Sequence, residues 1–186
     1  MSQNPSPAQG TLLIADPGML DGGFARSVVL LCEHSEQGTF GLVLNDALPV
    51  TLKDVSPDFA AISAPVFRGG PVQLDTLHIL HRGTAPEVGG HEVLPGVWWG
   101  GDYDRLRDLV REGVVATTDC RFFLGYSGWA GGQLEGELEM DTWYVHPATP
   151  DLVFAGNPQD HWRQVLRDMG PEYALPASFP DHPMLN

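Results

Sequence analysis

The chain has 186 residues, a length that fits one domain, and its 42% hydrophobic content is that of an ordinary soluble globular protein. It carries 24 acids against 10 bases, a formal net charge of −14. A surface of that sign repels phosphate backbones and argues against non-specific nucleic-acid binding. No apolar run approaches the roughly 20 residues needed to span a bilayer. The opening MSQNPSPAQG lacks the basic-then-apolar order of a secretory signal, so a cytoplasmic location is the expectation. Lys53 is the only lysine. An acid excess with so little lysine suits a protein working in high salt, where self-repulsion is screened, and a halophilic host is expected on that ground. Cys32 and Cys120 each lie inside an apolar run and read as buried free thiols.

In chain order, residues 1–10 read as a disordered arm. TLLIAD (11–16) is a short apolar run closed by the turn signal Asp16-Pro17-Gly18. SVVLLCEH (27–34) and FGLVLN (40–45) read as strands, and the glycine-containing spacer between them predicts a hairpin. TLKDV (51–55) predicts a short helix capped by Thr51. APVFRGGPV (64–72) reads as a strand interrupted at Gly69-Gly70-Pro71, and LDTLHILH (74–81) as a further strand. Short strands are expected around HEVL and VWWGG. DYDRLRDLVREG (102–113) is the clearest helix, capped by Asp102 and ended by Gly113. CRFFLGYS returns to strand, 132–141 predicts a helix, TWYVH a strand, and DLVFAG a short strand or turn. NPQDHWRQVLRDMG (157–170) predicts a helix with Asn157 at the cap and Pro158 at its first position. Residues 171–186 form a proline-rich tail. The pattern predicts an α/β (mixed α+β) fold: one compact domain over 11–170, with a mixed sheet flanked by helices and an N-terminal hairpin.

The stretch LLIADPGMLDGGFARSVVLLCEHSEQGTFGLVLND resembles the YqgE/AlgH family. So do FRGGPVQLDTLHILHR (67–82), GGDYDRLRDLV (100–110) and RFFLGYSGWAGGQLEGEL (121–138), in the same order and spacing. The resemblance implies a cytosolic bacterial protein with a mixed sheet and an unsettled biochemical activity. Some members carry a transcriptional-regulator label, which the resemblance brings along as an implication only.

The most chemical-looking segment is Gly125-Tyr126-Ser127-Gly128-Trp129. A nucleophile elbow requires G-x-S-x-G, and Trp129 stands where the second glycine belongs, so Ser127 reads as part of a tight strand-to-helix turn. Gly69-Gly70 reads as a strand bend, since a phosphate-binding loop needs a lysine that is absent here. His78 and His81, three apart on a strand, face opposite ways. Neither a Cys/His cluster nor a cofactor motif occurs, so no metal or cofactor is expected. No helix-turn-helix is present, and no direct DNA or membrane binding is expected.

Glu33-His34, Arg68-Gly69-Gly70 and Tyr126-Ser127-Gly128 all fall at the ends of apolar strands, where crevices form in α/β sheets. These eight residues are the candidate ligand site, with Arg68 supplying positive charge. The partner would be a small anion or an unidentified protein. The residues favour a non-catalytic binding or regulatory protein. The alternative is a hydrolase-type enzyme with a site built from the Arg68–Gly70 and Tyr126–Trp129 turns.

Overall fold

The structure is a computed structural model that describes residues 5–19 and 23–180. Its strands are β1 (Thr11–Ala15), β2 (Val28–Ser35), β3 (Gly38–Val43), β4 (Ala47–Thr51), β5 (Pro65–Arg68), β6 (Val72–Arg82), β7 (His91–Leu94), β8 (Val97–Trp99), β9 (Cys120–Ala130) and β10 (Trp143–Pro147). Its helices are α1 (Leu52–Val55), α2 (Ala85–Val88), α3 (Tyr103–Arg111), α4 (Gln133–Glu139), α5 (Pro150–Val153), α6 (Pro158–Met169) and α7 (Ala174–Ala177).

The strands form one 10-stranded sheet in the order β10-β1-β2-β3-β9-β6-β8-β7, with β5 between β4 and β9. Every pairing is antiparallel except β5 with β9, which makes the sheet mixed. The predicted hairpin is β2–β3, in register from Val29↔Val43 to Ser35↔Gly38 with a bulge between Leu31 and Glu33. Far from being flat, the sheet curls until β7 lies against β2. Gln9 closes that seam, donating through Nε2 to the Glu92 carbonyl at 2.8 Å, and Gly10 N–H reaches the Leu31 carbonyl at 2.9 Å. The end of the expected disordered arm is therefore bonded into the fold, while residues 1–4 lie outside the described residues.

The concave face buries Leu12, Leu30, Leu42, Leu80, Val97 and Phe123 together with Trp162, Val165 and Leu166 of α6. The apolar stripe of α6 (Trp162, Val165, Leu166) recurs at helical spacing, so the helix plugs one end of the curl. Trp162 also donates its indole N–H to the Ala15 carbonyl at 2.9 Å, which satisfies a polar atom that burial would otherwise penalise. On the convex side, α3 covers Leu52, Val66, Ile79 and Phe122. Further along, α4 covers Leu13, Val29, Leu31 and Trp143.

DLVFAG behaves differently from its expected strand or turn. Thr149 accepts the Leu152 N–H at 3.2 Å and Pro150 occupies the first helical position, so the segment starts as α5. Cap chemistry two residues upstream outweighed the apolar run. The proline-rich tail packs in part: Ala177 is buried and its carbonyl accepts from Arg163 Nε at 3.2 Å, whereas 181–186 lie outside the described residues.

Candidate functional site

The glycine motifs are explained by a crossing. Residues 122–124 of β9 pair with Val66–Arg68 of β5 on one edge and with Leu77–Ile79 of β6 on the other. The chain thus ascends one edge of β9, passes over it at Gly69-Gly70-Pro71, and descends the opposite edge. Two backbones can cross that closely only where side chains are missing. A Cβ on Gly69 would sit 2.3 Å from the Gly125 carbonyl oxygen, and one on Gly70 2.2 Å from the Tyr126 carbonyl carbon. Gly125 itself has φ +70, a conformation that L side chains rarely adopt.

Ser127 fastens this crossing. Its side chain is fully buried and Oγ donates to the Gly69 carbonyl at 3.0 Å, an oxygen that also accepts Val43 N–H at 2.9 Å. The expected strand-to-helix turn at Ser127 is displaced, because β9 runs on to Ala130 and the turn falls at Gly131-Gly132. The extra length comes from pairing with β3, Gly41↔Ser127 to Gly38↔Ala130, a tertiary partner that local glycine content does not reveal. Trp129, 5% exposed, packs beside α4 and donates to Glu137 Oε2 at 2.9 Å, and Trp143 donates to the same oxygen at 2.8 Å. Glu137 thereby ties β9 and β10 to α4, a role the sequence does not announce.

Glu33, Tyr126 and Gly128 line one open depression of about 450 Å³, with Phe40 and Thr39 between them. Phe40 stacks on Tyr126 with ring centroids 4.6 Å apart and on Trp99 at 4.5 Å. His78 meets Phe40 and Tyr126 edge-on at 5.4 and 5.8 Å. Burial holds the His78 ring below its ordinary pKa, which favours the neutral imidazole at neutral pH. Four half-buried rings therefore form a ladder across β9, β3, β8 and β6, with the exposed Glu33 beside it on β2.

The remaining candidates lie elsewhere. His34 faces α4, its Nδ1 2.7 Å from Thr39 Oγ1 and its Nε2 3.6 Å from Glu135. Arg68 is half-exposed and paired with Asp46 at 3.1 Å, away from the depression. Gly69 and Gly70 are consumed by the crossing and Ser127 is sealed beneath it, so these groups meet without leaving a cleft between them. His81 is a satisfied core histidine: Nε2 is 3.0 Å from the Gly100 carbonyl and Nδ1 bonds Thr84. Among the described residues, no group of three His, Cys, Asp or Glu could hold a metal ion. Cys32 and Cys120 are free and buried, and burial pushes the Cys120 thiol up to about 12, far from a reactive thiolate.

The sequence missed the opposite end of β9. Arg121 projects to the same face as Phe123 and is 6% exposed. His161 of α6 is fully buried, and neither ring nitrogen makes a well-formed hydrogen bond. Burial and then the Arg121 charge press its pKa down to about 4. The signal available in the sequence was an arginine in phase with the core residues of an apolar strand, and a histidine on the apolar face of α6.

A curled mixed sheet, plugged by one helix and crossed over its own central strand, defines a class of single-domain α+β protein. The chain belongs to the AlgH-like family, whose model matches residues 12–174. A "UPF0301 protein" of Chlorobium luteolum is 42% identical over 179 residues, 96% of this chain and 95% of that one. Another of Cytophaga hutchinsonii is 39% identical over 179 residues, 96% and 98% of the two chains. Among solved structures, protein DIP2367 of Corynebacterium diphtheriae matches with TM-score 0.81 and 28% identity over 95% of both chains. The AlgH protein of Pseudomonas aeruginosa matches with TM-score 0.71 and 29% identity over 98% of this chain and 100% of that one. No described helix is long and apolar enough to cross a membrane.

Proposed function

We propose that the protein is a non-catalytic binding protein that takes an extended segment of a partner protein across the Glu33–Phe40–Tyr126 depression. The observation that carries this reading is the ladder Tyr126–Phe40–Trp99, half-buried and stacked at 4.5 to 4.6 Å beside an exposed carboxylate. Aromatic rings fixed by their neighbours offer large contact area at little conformational cost, which is why they dominate interface hot spots. The depression is wide and shallow, a shape that suits an extended chain better than an enclosed metabolite. Glu33 and the formal charge of −14 favour a basic segment, and they also argue that any regulatory role runs through protein contact instead of DNA. Ser127, buried and committed to the Gly69 carbonyl, weakens the hydrolase alternative.

The test is random-peptide phage display on the immobilised protein, with the Phe40→Ala and Tyr126→Ala variants as counter-selections. Peptides rich in Arg or Lys with apolar neighbours are expected, binding wild type at least about tenfold tighter than either variant, the weight of one hot-spot residue. Failure to enrich any sequence over the variants removes the reading. Ester turnover by the wild type that vanishes in Ser127→Ala would restore the hydrolase alternative.

A further inference from the structure

Arg121 carries a buried charge that no acid among the described residues balances. Nη1 donates to the Val153 carbonyl at 2.6 Å, and Cζ stands 4.2 Å from the centroid of the Phe67 ring. Among the described residues, no carboxylate lies within ion-pair distance of it, and Nε and Nη2 have no protein acceptor. Nearby Arg82 shows the usual solution: it lies 4.7 Å from the Phe154 ring and pairs with Asp119 at 2.9 Å. An unpaired buried cation is costly, and in a chain with 24 acidic residues the lack of a partner at this one place calls for a physical account.

Beside Arg121 is a cavity of about 180 Å³, lined also by Phe67, Thr117, Thr118, Cys120 and Phe154. We propose that this cavity binds a small organic monocarboxylate on the free edge of the Arg121 guanidinium. Nε and Nη2 form one edge of the planar fork, and two parallel N–H bonds match the two oxygens of a carboxylate. One negative charge neutralises the single cation, whereas a dianionic phosphate would leave excess charge against the walls of Phe67 and Phe154. The Thr117 and Thr118 hydroxyls at the rim offer further donors. The volume is below the few hundred Å³ of a typical drug-sized pocket, which limits the ligand to a short acid. The site lies at the opposite end of β9 from the aromatic depression and does not depend on the function assigned there. Binding has a built-in reporter, since a carboxylate that cancels the Arg121 charge relieves the pressure on His161.

The experiment measures Tm at pH 7 with rising acetate, propionate or phosphate, each against sodium chloride at equal ionic strength. A saturable rise with acetate or propionate is expected, about 5–10 °C at a hundredfold excess over Kd. Arg68→Ala, which removes an exposed cation, keeps that rise, and Arg121→Met abolishes it. Should Arg121→Met fail to fold, the His161 ring is titrated by NMR in the wild type. Its midpoint moves up by about half a unit or more with propionate present if the site fills. No carboxylate-specific rise, a rise unchanged in Arg121→Met, a fixed His161 midpoint with propionate, or a response to phosphate alone would each overturn the proposal.

Discussion

The two ends of β9 deal with polar chemistry in opposite ways. At the Tyr126 end, the residues singled out from the sequence are exposed, paired or structurally committed, and the unpartnered nitrogens, His78 Nε2 and Trp99 Nε1, sit on uncharged rings of the ladder. Glu33 faces solvent, His34 bonds Thr39, and Ser127 bonds the Gly69 carbonyl. Shape gives that region its character: a shallow aromatic surface laid over a glycine crossing. At the Arg121 end, the surroundings look apolar in sequence, yet a buried guanidinium finds no acid among the described residues, and neither ring nitrogen of the buried His161 makes a well-formed hydrogen bond. Polar residues near a surface cost little and imply little. Polar residues in the core must be compensated, so it is there that an imbalance points to a ligand.

The largest expected effect breaks the Tyr126 end. Gly70→Ala forces a Cβ to within 2.2 Å of the Tyr126 carbonyl and 2.4 Å of Ser127 N, and backbone on a central strand has nowhere to move. A loss of about 3–5 kcal/mol is expected, seen as a drop in the urea midpoint. A cost below 1 kcal/mol would mean that the two backbones are not locked together.

Next comes acid, which probes the other end. The folded-state pKa of His161, about 4, lies below its ordinary 6.5, so the unfolded chain takes up the proton first. The stability linked to this group is fully present above pH 6.5 and is lost as the pH falls from 6.5 through about 4. The shift amounts to about 3 kcal/mol by linkage. Urea titrations of wild type and His161→Leu from pH 7.5 to 4.5 measure it as the difference between the two slopes. Identical slopes would show that His161 is not held neutral, and would remove one of the two unbalanced groups from the comparison.

The smallest effect distinguishes a fastener from a nucleophile. Ser127→Ala removes one buried hydrogen bond, but the Gly69 carbonyl keeps Val43 N–H as a partner. A cost of about 1 kcal/mol in chemical denaturation is expected, with peptide binding at the Tyr126 depression within about twofold of wild type. A loss above about 3 kcal/mol would make Ser127 the main determinant of the crossing, ahead of the glycines.

Local signals determined much of this protein from the sequence alone. The periodicity of 102–113 and 157–170, with Asp102, Asn157 and Pro158 at their starts, was enough to place α3 and α6, because caps and apolar stripes act within a few residues. Glycine spacing was enough for the β2–β3 hairpin, and the family resemblance followed from motifs in order. The same local reading placed Ser127 in a turn, because nothing nearby announces that β3 pairs with the end of β9. It took Gly69-Gly70 for a bend when they are a bridge over another strand, since what requires a glycine there is a backbone more than 50 residues away, Gly125 to Ser127. Arg68 looked like the useful cation and pairs with Asp46, while Arg121, hidden in an apolar strand, has no acid within ion-pair distance among the described residues. Which charges are compensated depends on partners brought together by the curl of the sheet, and only the tertiary structure decided it.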